Sequence, residues 1–273
     1  MSGATFTAER QARYGETCGL IDARLVHILA GIVEDPERTL AERLRAWRHA
    51  QVYVEDLRRL FERQGDRLAC FVVEPVLGAG GGLPASRDYL HEARRLTEKH
   101  GALLLCDEII TAFRFRAGDL SAAYGVRPDL LIMGKIMGGG MPVAAVAGRR
   151  DLLKLCTQAS GRVKFEGGTY SAHELSLVAA RTMLGHLCEE ESSIYPRLAA
   201  LGKRRHEGLL RVTREAGVPA FLPGPPPDLP SGSSMVMMHL AGEEGPVPTC
   251  PEDLAERAHP VLDERLLKST LLL

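Results

Sequence analysis

Three ionisable side chains stand where short apolar runs stop. Glu74 follows LACFVV (68–73), Asp107 follows ALLLC (102–106), and Lys135 lies within LLIMGKIMGGGMP (130–142), among methionine, isoleucine, leucine and glycine. An amine held in apolar surroundings loses hydration, which disfavours the ammonium form and frees a neutral amine to attack a carbonyl. The chemistry to expect is therefore Schiff-base formation. A second reading of Lys135 is a side chain whose stem packs on apolar surface while its amine reaches water. Gly138, Gly139 and Gly140 fit either a tight turn with unusual dihedrals or close passage of the chain past a ligand. Asp107 has a competing role as the cap of the segment after it, and Glu74 as a surface carboxylate.

The elements that must position these groups follow from the rhythm of the chain. The runs 68–73, 102–106, DLLIM (129–133) and PVAAVA (142–147) read as strands, and residues 86–100 and ELSLVAARTMLGHL (174–187) as helices. This alternation predicts an α/β fold with parallel strands and crossover helices. Ligands of open parallel sheets bind in the crevice outside the carboxyl ends of the strands, so Glu74, Asp107 and Lys135 should converge on one cleft. Upstream, Leu25, Ile28, Leu29, Ile32 and Val33 recur at helical spacing before Asp35-Pro36 restarts the pattern, and the helical reading covers 22–67. LPGPPPDLPSGSS (222–234) holds neither helix nor central strand. The expected organisation is a helical N-terminal segment (1–66), a core domain (67–221), a Pro/Gly-rich linker (222–234) and a small C-terminal unit (235–273). That last unit would hold SMVMMHL as a strand and 251–273 as an interrupted helix.

Composition excludes several classes. Across 273 residues, 34 Lys/Arg stand against 35 Asp/Glu and 45% of the chain is hydrophobic, so a core is affordable and no basic footprint for nucleic acid or an anionic membrane exists. Six cysteines without a Cys-x-x-Cys pair, and an opening MSGATFTAERQARYGE without an apolar leader core, read as a cytoplasmic protein with free thiols. No uninterrupted apolar run reaches the roughly eighteen residues of a membrane span. Gly134-Lys135 is followed by Ile136, and Asp129 occupies the position of the first phosphate-loop glycine, which excludes that loop. In the run Gly78, Gly80, Gly81, Gly82, the third glycine of a dinucleotide fingerprint falls on Leu83. His173-Glu174 begins a zinc-like motif, but Leu177 stands where its second histidine belongs, and no metal is expected. A Gly-x-Ser-x-Gly elbow is absent from the sequence.

VEPVLGAGGG, LLLCDEIITAFRF, PDLLIMGKIMGGGMPVAAVAGRRDLL and GGTYSAHELS follow one another in an order and at spacings that resemble class III pyridoxal-phosphate-dependent aminotransferases, nearest in look to their glutamate-1-semialdehyde aminomutase branch. The resemblance covers roughly 55–215. It implies the fold type I architecture of pyridoxal-phosphate transferases, a mostly parallel sheet with flanking helices, followed by part of a small α+β domain. It implies that Lys135 forms a Schiff base with the cofactor aldehyde and that Asp107 pairs with the protonated pyridine nitrogen. It implies that Thr169 bonds the cofactor phosphate of a neighbouring subunit, with Gly167 and Gly168 beside it, and hence a homodimer. Glu74 matches the family glutamate on the substrate side of the cofactor. The expected substrates are small amino/keto or amino/aldehyde compounds, with transamination placed ahead of a mutase reaction.

Departures from the family pattern are equally legible. Residues 1–66 contain neither the phosphate-binding helix start nor the ring-stacking aromatic that the family has, and Trp47 and Tyr53 do not match the latter. The family arginine that binds a substrate carboxylate near the C-terminus has no counterpart before KSTLLL. Arg114 and Arg116 are candidates for that contact, with surface ion pairing as their ordinary alternative. His173-Glu174 replaces Asn-Pro, and Ala112, Ala144 and Ala147 replace glycines. The alternative to an enzyme is thus a shortened homologue that binds cofactor weakly or not at all and serves as a structural or interaction subunit.

Overall fold

The computed structural model describes residues 54–78, 80–156, 171–223 and 235–242 together with Gly245. Helix α1 (Val54–Gln64) buries Leu57 and Phe61, four residues apart on one face, and leaves its charged residues outside. Strand β1 (Cys70–Val73) follows, then a two-strand hairpin of β2 (Val76–Leu77) and β3 (Leu83–Pro84). Gly78, Gly80, Gly81 and Gly82 lie in the loop of this hairpin, where the Gly82 N–H donates to the Leu77 carbonyl at 2.8 Å. Helix α2 (Arg87–His100) starts where Ser86 accepts from the Tyr89 N–H and stops at Gly101, whose φ of 64° ends the helix in the left-handed conformation.

Strand β4 (Leu103–Glu108) is buried along its whole length, and β5 (Leu130–Met133) lies beside it. Between them is the short helix α3 (Leu120–Ala123), capped by Asp119. The central sheet has the order β1-β4-β5-β6, with β6 spanning Ala145–Gly148. β1, β4 and β5 run parallel as expected, but β6 pairs antiparallel with β5. The expectation of a further parallel strand over 142–147 is thus corrected in direction and in boundary. Only residues 134–144 separate β5 from β6, fewer than the dozen or so that a parallel crossover needs. They form a 3-10 turn (Lys135–Gly138) and fold straight back.

One face of the sheet carries Phe71, Val73, Leu104 and Cys106, packed under α1 and α2 with Leu57, Phe61, Tyr89, Leu90 and Leu96. The other carries Val72, Leu103, Leu105 and Leu130, closed by Leu152 of helix α4 (Arg150–Leu153). Helices α5 (Glu174–Glu189) and α6 (Glu191–Glu215) pack beside the 3-10 turn through Leu187, Tyr195 and Met137. No expectation anticipated α6, which is charged on most sides and carries Pro196 inside. β7 (Ala220–Phe221) pairs with β8 (His239–Leu240), and Met235 packs against the α1/α2 core. The linker over 224–234, the helical segment over 251–273 and residues 1–53 lie outside the described residues.

Candidate active site

The carboxyl ends of the three parallel strands form one rim. Val73 pairs with Cys106, so Glu74 comes level with Asp107 one step further on. Asp107 pairs with Ile132, and Lys135 lies three positions beyond that partner. The structure therefore brings Glu74, Asp107 and Lys135 to a single edge of the sheet.

Asp107 is only 7% exposed, and its Oδ1 accepts the Ile109 N–H at 3.1 Å. The two-residue period of a strand sets Asp107 on the face of Leu103 and Leu105, and Glu108 on the face of Leu104 and Cys106. Glu108 is fully buried and accepts from the Leu120 N–H at 2.5 Å, the Ser121 N–H at 2.7 Å and the Thr111 hydroxyl at 3.2 Å. Burial pushes its carboxyl above the usual range, against the pull of the Leu120 and Ser121 N–H groups. Glu108 thus holds the return of the chain into α3, and the adjacent acid remains at the rim. Capping, the competing role of Asp107, is divided in this way: Asp107 holds the Ile109 N–H and Glu108 the start of α3. Cys106 is a buried thiol, pushed up by burial and by Glu108, as a small apolar packing group would be.

Lys135 has φ 48°, in the left-handed region that costs a residue with a Cβ roughly 1–2 kcal/mol. Gly134 before it is extended and buried, and a Cβ there would make ordinary contact, 3.6 Å from the Ile109 side chain and from the Val143 carbonyl. Lys135 itself is exposed, which corrects the expectation of a desolvated amine. The apolar neighbours have another purpose: Met137 turns into the core between α5 and α6, with Ile136 packed against the same cluster. Of the two readings of the glycine run, the turn accounts for Gly139 and Gly140, with φ of 57° and 95°. Gly139 also lets the chain approach α5, where a Cβ would come 3.3 Å from that of Met183.

Glu74 is half-buried, and its Oε2 accepts the Gly78 N–H at 3.0 Å, fixing the hairpin loop above the rim. A Cβ at Gly78 would stand 2.2 Å from the Ile110 Cδ1, so that methyl would have to turn aside. Arg114 donates its Nε to the Ile110 carbonyl at 2.5 Å, and burial lowers its pKa. Arg116 reaches the Asp119 carbonyl at 3.5 Å. Thr169, Gly167 and Gly168 lie outside the described residues. His173 caps α5 by accepting the Ser176 N–H at 3.3 Å, the local task that an asparagine would also perform. Among the described residues no group of three metal-ligating side chains occurs.

Asp129 is a positioning residue that the sequence reading noticed only as a mismatch to a phosphate loop. It is 5% exposed and accepts from the Leu104 N–H at 2.8 Å, Arg94 Nη1 at 2.8 Å and Arg149 Nη1 at 2.9 Å. Burial works to raise its pKa, but the Leu104 N–H, Arg149 and Arg94 together hold the carboxyl below the usual range. These contacts tie the start of β5 to β4, α2 and the end of β6, and so fix the register that sets Lys135 relative to Asp107.

The family model for class-III aminotransferases matches residues 21–222. Among curated proteins, the chain is 35% identical over 167 residues to the glutamate-1-semialdehyde 2,1-aminomutase of Persephonella marina, covering 61% of this chain and 38% of that protein. It is 39% identical over 172 residues to the protein of the same name from Thermomicrobium roseum, covering 63% and 38%. Among solved structures, an omega-transaminase from Sphaerobacter thermophilus superposes with a TM-score of 0.61 at 30% identity, covering 74% of this chain and 43% of that one. A β-phenylalanine aminotransferase from Variovorax paradoxus gives 0.59 at 27% identity, covering 74% and 44%. The matched part is therefore 38% of the length of these curated relatives, and the fold around Lys135 and Asp107 is the fold type I core of pyridoxal-phosphate transaminases. The chain belongs to the class-III aminotransferase family.

Proposed function

We propose that this chain moves amino groups with pyridoxal 5'-phosphate, as an aminotransferase of class III type, through Lys135 and Asp107. The observation that carries the reading is their placement at the carboxyl ends of neighbouring parallel strands, one an exposed amine, the other a buried carboxylate. The donor set fits the cofactor: an amine for its aldehyde and an anion of fixed orientation for its ring nitrogen. When bound, the cofactor supplies an electron sink for the substrate α-carbon.

Asp107 would keep a proton on the ring nitrogen of the bound cofactor, since a carboxylate close to a titratable base favours its charged form. The Ile109 N–H holds that carboxylate in one orientation. Lys135 would hold the cofactor through Nζ, and its amine would be the group to carry a proton at the substrate α-carbon. It stands at the start of the tight turn after β5, exposed to solvent. Glu74 orients groups on the substrate side. Thr169 would contribute its hydroxyl to the cofactor phosphate in a homodimer, and the protein would act in the cytoplasm on small amino/keto or amino/aldehyde substrates.

The test is addition of pyridoxal phosphate to the purified chain, followed by visible absorption. A band that survives gel filtration, bleaches with an amino donor and is lost in Lys135→Ala is expected; persistence of that band in Lys135→Ala would refute the assignment. Release of a keto acid marks transamination, whereas an isomerised substrate with no released keto acid places the chain with the aminomutases.

A further inference from the structure

We propose that Tyr195 is a positioning residue for the amino-transfer site, holding the segments that leave the sheet after Asp107 and after Lys135 in fixed relation to each other. The inference rests on the function proposed above for those two residues. Tyr195 is only 5% exposed, and its hydroxyl donates to the Phe113 carbonyl at 3.2 Å. Its ring shares a buried cluster with Ala112, Phe113 and Met137, and Ile136 packs against the same cluster. Ile136 and Met137 directly follow Lys135, while Phe113 lies in the turn that leaves β4 after Asp107 and Glu108. One side chain therefore meets both segments beyond the rim, whereas Asp129 ties the strands together before it.

The chain after Asp107 is where such a hold is needed. Phe113 has φ 62°, a conformation rare for a bulky residue, which persists only where its surroundings impose it. Both of its backbone groups are tied: the N–H donates to the Gly118 carbonyl at 2.8 Å, and the carbonyl accepts from Tyr195. The Ala112 N–H donates to the Glu108 carbonyl at 2.9 Å and closes the turn back onto the residue next to Asp107. Inside this turn stands Ile109, whose N–H orients the Asp107 carboxylate. A shift at Phe113 therefore reaches Asp107 through a single closed turn. Further along, Glu191 Oε1 accepts the Ala117 N–H at 3.1 Å, so the start of α6 grips the segment twice. That start is itself fixed, because the Ser193 and Ile194 N–H groups donate to the Glu190 carbonyl at 3.0 and 2.9 Å. Burial, with Glu191 and Cys188 nearby, pushes the Tyr195 phenol up to about 12, and it stays a hydrogen-bond donor at neutral pH.

Tyr195→Phe keeps the ring in the cluster and deletes only the hydroxyl. The probes are pyridoxal phosphate and its analogue with carbon in place of the ring nitrogen, each bound to the full chain in equilibrium dialysis. Asp107 has a ring N–H to meet in the first and none in the second. Tyr195→Phe should therefore bind pyridoxal phosphate at least about fivefold more weakly than wild type, and the analogue within about twofold. A merely structural loss would weaken both probes alike. Thr97→Val removes a buried hydroxyl from α2, outside this cluster, and should leave both affinities unchanged. Without any cofactor, hydrogen exchange read by mass spectrometry on peptides covering 108–114 should be at least about tenfold faster in Tyr195→Phe and not in Thr97→Val. Glu191→Ala removes the other grip at an exposed position where folding is not at stake, and should show the same contrast between the probes at smaller size. Equal weakening of the two probes in either variant, unchanged affinity for pyridoxal phosphate in Tyr195→Phe, or unchanged exchange over 108–114 overturns the inference and leaves the proposed function standing. A wild-type chain that binds no pyridoxal phosphate overturns both.

Discussion

Replacing Asp129 removes the anchor that sets β5 against β4. In Asp129→Ala the Leu104 N–H stays buried without an acceptor, which costs about 1–3 kcal/mol. Arg94 and Arg149 also lose their shared partner, but their side chains are 17% and 37% exposed and relax partly into water, so each adds only about 1 kcal/mol. The expected loss is about 3–5 kcal/mol, the range for breaking a buried pair from one side. Asp129→Asn keeps an oxygen for the Leu104 N–H and should cost about 1–2 kcal/mol. The pH dependence follows from the lowered carboxyl pKa. A depressed acid contributes stability that is fully present above its unfolded value near 3.9 and is lost as pH falls through the folded value. The gap between wild type and Asp129→Asn should therefore hold at neutral pH and close on acidification below about 4. Urea unfolding of the three proteins across pH is the assay. An asparagine variant as unstable as the alanine variant, or a gap that widens in acid, would refute the reasoning.

Two further outcomes follow from packing. Gly148→Ala places a Cβ 2.2 Å from the Asp129 carbonyl at a φ of 152°, with backbone on the far side that cannot give way, whereas Gly185→Ala in α5 meets nothing within 4 Å. The first should lose several kcal/mol or fail to fold, and the second should gain about 0.5–1 kcal/mol, both read by thermal melting. Tyr89 is fully buried with its hydroxyl lacking a hydrogen-bond partner among the described residues, and burial pushes the phenol well up. Tyr89→Phe should therefore be neutral or stabilising by about 1 kcal/mol in urea unfolding; a loss of that size would show that the hydroxyl has a partner.

What could be read from residues alone depended on how local the cause was. β1, β4 and β5 were legible because buried parallel strands are continuous apolar runs, and the charge that ends each run stands at the strand's carboxyl end. β6 looked the same but runs the other way, because direction depends on the length of the connection and not on the run itself. Lys135 was placed correctly in sequence yet not in exposure, since the apolar residues around it pack under the turn and not around the amine. α6 escaped because its buried face is made of Tyr195, Gly202 and Thr213, which give no strong apolar period. Asp129 could not be recognised as a hub, for Arg94 and Arg149 are 35 and 20 residues away in the chain. Glu108 was hidden by its neighbour, because only the alternation of a strand separates the tasks of two adjacent acids.

The left-handed φ of 48° at Lys135 has an energetic consequence for the turn after β5. Folding alone would favour glycine or asparagine at this position, because those residues adopt that conformation at little cost. Lysine at this turn therefore carries a local backbone cost that Lys135→Gly would relieve by about 1 kcal/mol in urea unfolding.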